Sequence, residues 1–263
     1  MSEIFLDKIL TVKREKLERQ KHETDFDVLQ ERAFAVRQNA GSHRLRAALI
    51  RADRANIIAE IKRASPSKGI INDTIDVAEV AKSYETGGAA AISVLTEEDF
   101  FKGSLGDLIA VRNAVGLPVL RKDFVVDEFQ IYESAGAGAD VILLIVAVLT
   151  EENLKDFLRL GRDTLGMDVI VEVHTGAELE IAANAGADII GVNNRDLRSF
   201  EVSLDVSRDL IMQRPVNALM ITESGISARA EIDELKNLGF EGFLIGETLM
   251  RTAKASETLG GWI

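Results

Sequence analysis

Eight short apolar runs recur along the chain from about residue 57 onward, and longer charged, amphipathic segments separate them. Their starts lie roughly 20 to 35 residues apart, which is the period of a strand followed by a helix. The runs are continuously apolar, as expected for parallel strands buried on both faces. We predict strands at Ile57–Lys62, Ala90–Leu95, Pro118–Lys122, Val141–Val146, Val169–Val173, Ile189–Val192, Ala218–Thr222 and Gly242–Ile245. Eight such units predict an α/β fold of the (β/α)8 TIM-barrel type.

A weak internal repeat supports this architecture. Glycines at Gly87, Gly138, Gly186 and Gly239 each end a helical segment directly before a predicted strand. Glycine suits these positions because a helix C-terminus often needs the left-handed backbone conformation. An open, doubly wound sheet uses similar units and remains the alternative, although no G-x-G-x-x-G motif follows the first strand.

Composition narrows the classes of function. The 263 residues are 46% hydrophobic, which is enough for one large α/β domain or two smaller ones. The absence of cysteine excludes disulfides and thiolate chemistry, and only His22, His43 and His174 offer imidazole, which argues against a zinc enzyme. The formal charge of −12 argues against a nucleic-acid surface, because phosphate backbones are bound by clustered Lys and Arg.

The first fifty or so residues differ from the rest, because they are rich in Lys, Arg, Glu and Gln. Their apolar positions follow the spacing of amphipathic helices and include Ile4, Phe5, Ile9, Leu10, Val12 and Leu17. This segment is either a solvated arm or a cap packed over one end of the barrel. We predict one barrel domain over residues 1–263, of which about 1–50 is an N-terminal helical extension that caps the barrel.

No segment reads as a membrane or export signal. The N-terminus carries early acidic residues and no apolar signal-peptide core. The most apolar run, at 141–149, has about half the length needed to cross a bilayer, so we interpret it as a buried strand. We therefore expect a cytoplasmic protein.

Unusual polar residues stand at the ends of five predicted strands, where barrels of this type carry their chemistry. They are Glu60 and Lys62; Arg121, Lys122 and Asp123; Glu172; Asn193, Asn194 and Arg195; and Glu223, Ser224 and Gly225. Glu60 and Lys62 are two apart on one strand, so they share a face. A buried ion pair contributes little stability relative to apolar residues of the same shape, which favours an active site over a structural pair.

Each of these residues also has a simpler interpretation. Lys122 and Glu172 can be ordinary ion pairs with an oppositely charged neighbour. For Asn193 we favour ligand contact, whereas for Asn194 we favour capping of the following turn. His174 begins a loop, so we interpret it as a surface histidine rather than a catalytic one.

Two glycines indicate a phosphate site. Gly225 and Gly246 follow the seventh and eighth strands, where we expect each to stand at a helix start. There, backbone N–H groups converge on an anion. The loops after strands seven and eight hold phosphate in many such barrels, and we expect Ser65 and Lys62 within reach.

Seven segments of the chain resemble the indole-3-glycerol phosphate synthase family of tryptophan biosynthesis. They occur in order at Ala59–Ser67, Ser93–Ser104, Pro118–Val125, Val171–His174, Gly191–Leu197, Thr222–Ile226 and Phe243–Glu247. The resemblance implies a (β/α)8 barrel with an N-terminal extension and no cofactor or metal. It also implies ring closure, with loss of CO2 and water, of 1-(2-carboxyphenylamino)-1-deoxyribulose 5-phosphate to indole-3-glycerol phosphate. The expected partner is this small phosphosugar–anthranilate substrate, bound by a monomer or weak homo-oligomer.

The family's functional positions fall on matching residues. Its general-acid lysine matches Lys122 and its strand-five carboxylate, which we take as the base, matches Glu172. The other matches are the Glu60–Lys62 pair, the supporting polar residues Asn193, Arg195, Glu223 and Ser224, and the apolar Leu95 and Phe101 around the aromatic ring. At Glu247 some family members carry serine, so a hydroxyl contact to phosphate is in doubt there. Thr248 is a substitute.

Two other classes of function remain open at this level. Another phosphosugar barrel enzyme, such as phosphoribosylanthranilate isomerase or the tryptophan synthase α subunit, shares the phosphate loops but does not need Lys122. A catalytically inactive phosphometabolite sensor also keeps those loops, yet is expected to lose Lys122 or Glu172.

Overall fold

Eight parallel strands form a closed barrel in this computed structural model, which describes residues 5–66, 69–197, 199–252 and 254–263. The strands are β1 (Asn56–Ile61), β2 (Ala91–Leu95), β3 (Val119–Lys122), β4 (Val141–Ile145), β5 (Asp168–Val173), β6 (Ile189–Asn193), β7 (Leu219–Glu223) and β8 (Gly242–Ile245). Each pairs with its neighbour in chain order, and β8 closes onto β1 from Asn56↔Gly242 to Ala59↔Ile245. The predicted barrel is confirmed, and the open doubly wound sheet is wrong.

Three helices precede β1, and one or more follow each strand. They are α1 (Phe5–Glu23), α2 (Phe26–Gln38), α3 (Arg44–Leu49), α4 (Val77–Thr86), α5 (Leu105–Ala114), α6 (Glu128–Gly136), α7 (Glu151–Leu158), α8 (Gly176–Ala185), α9 (Asp205–Ile211), α10 (Arg229–Leu238), α11 (Glu247–Arg251) and α12 (Ala255–Trp262). Helices α4 to α8 begin after side chains that accept hydrogen bonds from the first free N–H groups, namely Asp76, Ser104, Asp127, Thr150 and Thr175. The left-handed glycines Gly186 and Gly239 end α8 and α10, as the repeat predicts, and left-handed Gly138 follows the end of α6. After α4 the expectation of a left-handed Gly87 was wrong, because Gly87 is right-handed and the left-handed residue is Gly88.

The strands place their side chains alternately inward and toward the helices. Inward apolar residues of β1, β3 and β5 pack inside the barrel and include Ile58, Leu120 and Ile170. Two positions further along the same strands stand Glu60, Lys122 and Glu172. Because the side-chain period of a strand is two, these charged residues point inward as well, at the C-terminal end of the barrel.

The N-terminal helices contact both ends of the barrel. At the C-terminal end, Phe5 and Ile9 of α1 line the barrel mouth. At the N-terminal end, Leu45 and Leu49 of α3 are buried with the inward residues of the strands. Between them, α2 packs against α6. The extension therefore reaches the cleft at one end and fills the interior at the other.

Two short antiparallel strands, Ala64–Ser65 and Gly69–Ile70, lie in the connection from β1 to α4. The sequence analysis missed them because two-residue strands carry no periodic signal. Ile4 and Ser67, which the sequence analysis used, lie outside the described residues. The apolar run from 141 forms the buried strand β4 and then a short 3-10 helix, and no helix in the described parts of the chain is long and apolar enough to span a bilayer.

Candidate active site

A cleft opens at the C-terminal ends of the strands, between the barrel mouth and α1. Its lining includes the predicted site residues Glu60, Lys62, Ser65, Leu95, Phe101, Lys122, Glu172, Asn193, Arg195, Ser224, Gly225, Gly246 and Glu247. Glu223 is the exception, because it is buried behind Lys122 and contacts its ammonium group. Residues from every part of the barrel sequence therefore meet in one place.

Lys122 lies at the base of the cleft between two glutamates. Its Nζ is 2.6 Å from Glu223 Oε2 and 3.4 Å from Glu172 Oε2. Burial disfavours the charged ammonium, but the carboxylates of Glu223, Glu172 and Glu60 outweigh burial and raise the pKa of Lys122. Lys122 is therefore a charged hydrogen-bond donor facing the cleft, and its partner is not the adjacent Asp123.

The two glutamates beside Lys122 differ in their proton affinity. Burial disfavours ionised Glu172, but Lys122, His174 and a hydrogen bond from Asn193 outweigh burial and lower the pKa of Glu172. Burial and the negative charge of Glu172 raise the pKa of Glu223 to about 7, despite its contact with Lys122. An ionised carboxylate and a readily protonated one therefore share a single lysine, which is the kind of pair that performs acid–base chemistry.

Lys62 and Glu60 form a second pair at the mouth, at the end of β1. Lys62 Nζ is 2.8 Å from Glu60 Oε1, as their shared face predicts. Gly246 lies against this pair, since a Cβ there would collide with Glu60 Oε1. The glycine is thus required by the packing of Glu60 as well as by its predicted contact with phosphate.

Asp123 belongs to a separate network that fixes α1 to the barrel. Its carboxylate is 2.6 Å from Lys13 Nζ and 3.3 Å from Arg121 Nη2, and it accepts a hydrogen bond from Thr96 Oγ1 at 2.7 Å. Lys13 and Arg121 outweigh burial and lower the pKa of Asp123. Arg121, which points away from Lys122, is thus a packing residue.

His174 is not the surface histidine predicted from the sequence. Its side chain is 13% exposed, with Nε2 3.4 Å from Glu172 Oε1 and Nδ1 3.3 Å from Glu178 Oε2. The prediction was wrong because His174 directly follows β5. It therefore lies beside Glu172, near the strand end, and under the start of α8. The carboxylates of Glu172, two residues before His174, and Glu178, four residues after it, were the signal that could have predicted these contacts.

Asn193 and Asn194 lie in different surroundings; the ligand contact predicted for Asn193 stays a prediction, and Asn194 does more than cap a turn. Asn193 lines the cleft, and its Oδ1 also accepts a hydrogen bond from the N–H of Arg195. Asn194 is buried, and its amide donates to Thr222 Oγ1 and to the carbonyl oxygens of Glu223 and Ser224. Asn194 therefore ties the ends of β6 and β7 together.

The two glycine loops meet at the cleft, but only one stands at a helix start. Gly246 directly precedes α11, whereas α10 begins at Arg229, so the expectation that Gly225 starts a helix was wrong. Gly225 instead continues a left-handed turn, with φ of 67° at Ser224 and 85° at Gly225. Such a turn still directs successive N–H groups to one side.

The side chains after Gly246 are committed to protein contacts. Thr248 Oγ1 donates to the carbonyl oxygen of Ile226 at 3.0 Å, which joins the two loops. Glu247 lies 4.0 Å from Arg195 Nη2 and 3.2 Å from Arg251 Nη2. The backbone amides of the loop, rather than the Thr248 hydroxyl, are therefore the anion-binding groups that this arrangement favours.

Aromatic and aliphatic side chains from outside the predicted set complete the cleft wall. They are Phe5, Leu6 and Ile9 of α1, with Phe124, Leu143, Ile145, Leu197, Phe200, Ile226, Leu244 and Ile245. Phe5 packs edge-on against Phe100 and Phe200, at 5.1 and 5.3 Å between ring centroids. The i, i+4 spacing of Phe5 and Ile9 was a usable signal that this face of α1 covers something apolar.

Solved structures of other phosphate-handling enzymes share the fold. A 3-hexulose-6-phosphate synthase from Salmonella typhimurium superposes with a TM-score of 0.61 at 15% identity, covering 78% of this chain and 94% of that one. A thiamine phosphate pyrophosphorylase from Pyrococcus furiosus gives 0.59 at 13% identity, covering 79% and 93%. At this identity the likeness concerns the barrel alone.

Sequence comparison is far more specific. The family model for indole-3-glycerol phosphate synthase matches residues 6–259. Proteins of that name from Carboxydothermus hydrogenoformans and Syntrophobacter fumaroxidans are each 44% identical, covering 97% of this chain and 98% and 96% of their own length. One from Desulfosudis oleivorans is 52% identical over 74% of each chain. These matches favour neither the isomerase nor the sensor alternative.

Proposed function

The chain belongs to the indole-3-glycerol phosphate synthase family, and on that premise we propose how its cleft carries out the reaction. The enzyme is a carboxy-lyase of tryptophan biosynthesis. It closes the ring of 1-(2-carboxyphenylamino)-1-deoxyribulose 5-phosphate and releases CO2 and water to give indole-3-glycerol phosphate. The residue roles below are derived from the chemistry of these steps and from the contacts of the cleft.

Lys122 is the general acid for ring closure. The ring carbon that bears the carboxylate attacks the ribulose carbonyl, and negative charge develops on the carbonyl oxygen. An ammonium donor at that oxygen stabilises the charge and supplies the proton. The support for this role is the position of Lys122 at the base of the cleft, where Glu223 and Glu172 hold its Nζ at 2.6 and 3.4 Å.

Glu172 is the general base for the dehydration that follows loss of CO2. Departure of the hydroxyl group as water requires a proton donor and removal of a proton from the ring system. The lowered pKa of Glu172, set against burial by Lys122 and His174, supports a carboxylate that is ionised before it reacts. Glu223 supports Lys122, and Asn193 orients Glu172 through their hydrogen bond.

Lys62 has two roles that its contacts support equally. It is either the second acid, which protonates the departing hydroxyl, or chiefly a contact for the anionic substrate. Glu60 Oε1 at 2.8 Å modulates it in either case. The kcat of Lys62→Met separates the two roles, because loss of an acid lowers kcat whereas loss of an anion contact raises KM.

The substrate phosphate binds at the loops after β7 and β8. The N–H groups of Ser224, Gly225 and Gly246 supply donors, with Arg195 and Ser65 nearby in the cleft lining. Leu95 and Phe101 contact the aromatic ring from the apolar wall. Glu247 lines the same region and takes part through its backbone, because its carboxylate repels phosphate.

The observation that carries this proposal is the Glu172–Lys122–Glu223 cluster at the base of an apolar cleft. Incubation of the purified protein with the carboxyphenylamino-deoxyribulose phosphate should produce indole fluorescence and CO2, and inorganic phosphate should compete with the substrate. Absence of turnover would refute the proposed site chemistry. Normal turnover without phosphate competition would refute only the phosphate position.

Location and assembly are part of the proposal. We place the protein in the cytoplasm as a monomer or weak homo-oligomer that binds neither nucleic acid nor membranes, and the net charge of −12 supports the absence of nucleic acid. Light scattering during gel filtration measures the assembly.

A further inference from the structure

His174 stands between two carboxylates that belong to different elements. Its ring Nε2 is 3.4 Å from Glu172 Oε1 at the end of β5, and its Nδ1 is 3.3 Å from Glu178 Oε2 in the first turn of α8. The backbone N–H of His174 also donates to Glu178 Oε2 at 2.7 Å. Glu178 therefore contacts both the main chain and the ring of His174, while the Nε2 edge of the ring lies toward Glu172.

We propose that His174 is a positioning residue for Glu172. Its imidazolium, held by Glu178, keeps the Glu172 carboxylate ionised and oriented toward the substrate. This inference rests on the proposed role of Glu172 as the general base. It gives His174 a role in addition to that of the acid–base pair. It also gives Glu178 the role of holding His174 in place.

The geometry of Glu172 explains why a second cation is needed. Its Oε2 lies 3.4 Å from Lys122 Nζ and its Oε1 lies 3.4 Å from His174 Nε2, so the carboxylate has a cationic group on each side. Lys122 is the cation with the larger effect on Glu172, but its Nζ lies closer to Glu223, at 2.6 Å, than to Glu172, at 3.4 Å, so Glu172 shares it with a second carboxylate. His174 supplies the positive charge that Lys122 shares with Glu223.

The charged groups around the ring favour the imidazolium. Burial disfavours it, but Glu178 from α8, Glu172 from β5 and Glu223 from β7 outweigh burial and raise the pKa of His174. The coupling is reciprocal, since His174 in turn lowers the pKa of Glu172. Loss of the imidazolium charge should therefore make Glu172 easier to protonate.

The coupling can be measured without turnover. In 15N-imidazole NMR titrations, the His174 resonance, assigned by its loss in His174→Asn, should titrate above an ordinary histidine. Its midpoint should fall in both Glu172→Gln and Glu178→Gln, because each substitution removes a facing charge. Glu180→Gln, on the exposed side of α8, is the matched control and should leave the midpoint in place. A titration midpoint of His174 that is unchanged in Glu172→Gln would overturn the proposal.

Kinetics test the consequence for catalysis. In His174→Asn, kcat at pH 6 should fall about 10-fold with KM nearly unchanged, less than the ~10²–10⁴-fold loss on removing a general base itself. The acidic limb of the kcat profile should move to higher pH, and Glu178→Gln should move it in the same direction with no change to the ring itself. Glu180→Gln should match the wild type.

The outcomes separate the two levels of the argument. A uniform loss of rate at every pH, with the acidic limb in place, would mean that His174 is only structural and would overturn the inference while leaving Glu172 as the base. Near-wild-type turnover of Glu172→Gln would remove the proposed base, and the inference with it. If His174→Asn does not fold, Glu178→Gln alone decides the matter by the same criteria.

Discussion

The two ends of the barrel both carry buried charges, but they use them differently. At the N-terminal end, Asp140 accepts hydrogen bonds from Val119 N, Arg112 Nη1 and Arg44 Nη1 at 3.0, 2.6 and 2.8 Å. At the C-terminal end, Glu223 contacts Lys122 through one oxygen, while its buried Oε1 has no hydrogen-bond partner among the described residues. Asp140 thus has three donors on Oδ2 and Arg37 Nη1 3.6 Å from Oδ1, whereas Glu223 has one close partner and an oxygen without one among the described residues.

This difference shows how one barrel separates stability from reactivity. A carboxylate with several partners, such as Asp140, joins α3, α5 and the start of β3, and it lies at the end of the barrel opposite the cleft. An undersaturated cluster costs stability, because a buried polar group without a partner is unfavourable, but it holds groups ready to bind or exchange a proton. Substitutions at the two ends should therefore have opposite signatures.

Lys122→Met should give the largest effect. Methionine keeps the length of the side chain but removes the acid, so turnover should fall toward the upper end of the about 10²–10⁴-fold range for a lost general acid. Single-turnover mixing should show neither CO2 release nor indole formation, while inorganic phosphate still binds. Prompt CO2 release by this variant would assign ring closure to another acid, and a near-wild-type rate would remove the site altogether.

Glu172→Gln should have the next largest effect, at a later step. The amide keeps the shape of the side chain but cannot take a proton, so turnover should fall by about 10²-fold or more. Rapid mixing should show prompt release of CO2 followed by delayed indole fluorescence. If CO2 release is delayed as well, the division of steps between Lys122 and Glu172 is wrong although the site stands.

Asp140→Asn should show the opposite signature, a loss of stability with normal chemistry. Breaking this ion-pair network should lower the free energy of unfolding, measured in urea, by about 3 kcal/mol, because buried Arg37 and part-buried Arg44 and Arg112 lose their counter-charge. The matched control is Asp163→Asn, which breaks the exposed pair with Arg162 and should cost less than about 1 kcal/mol. Reduced kcat in folded Asp140→Asn would blur the contrast between the ends.

Glu223→Gln should give the smallest effect, in the pH dependence of stability. Burial and Glu172 raise the pKa of Glu223 from 4.5 to about 7, so the folded state disfavours its ionisation. In the wild type, this ionisation lowers the stability of the folded state as the pH rises from 4.5 to 7. Above pH 7 the ionisation of Glu223 causes no further loss of stability. Relative to the wild type, the variant should therefore gain stability across this interval, by at most about 3 kcal/mol, since each pKa unit represents about 1.4 kcal/mol.

Urea unfolding at several pH values measures that gain, because only the difference between the two curves matters. Loss of the contact with Lys122 changes the stability of the variant by the same amount at every pH. It therefore does not change the difference in slope between the two curves. Glu180→Gln, which removes an exposed carboxylate of α8, provides the control curve. Parallel curves for Glu223→Gln itself would mean that folding does not raise the pKa of Glu223.

Local signals in the sequence determined the barrel and much of the membership of the cleft. Continuous apolar runs predict buried parallel strands, and the strand bounds agree with the structure to within about one residue at each end. The side-chain period of two placed Glu60 and Lys62 on one face, where they pair at 2.8 Å. These features follow from sequence because they depend on residues close together in the chain.

Only the tertiary structure decided which charges meet. Lys122 contacts Glu223, 101 residues away, rather than the adjacent Asp123, and Asp123 is instead bound by Lys13 from the extension. His174 became a partner of Glu172 because the start of α8 folds back over the end of β5. The burial of these groups and their contacts depend on which strand ends converge at the barrel mouth. The pKa of Glu223 depends on the same convergence. Closure of the barrel creates it, and no local sequence pattern encodes it.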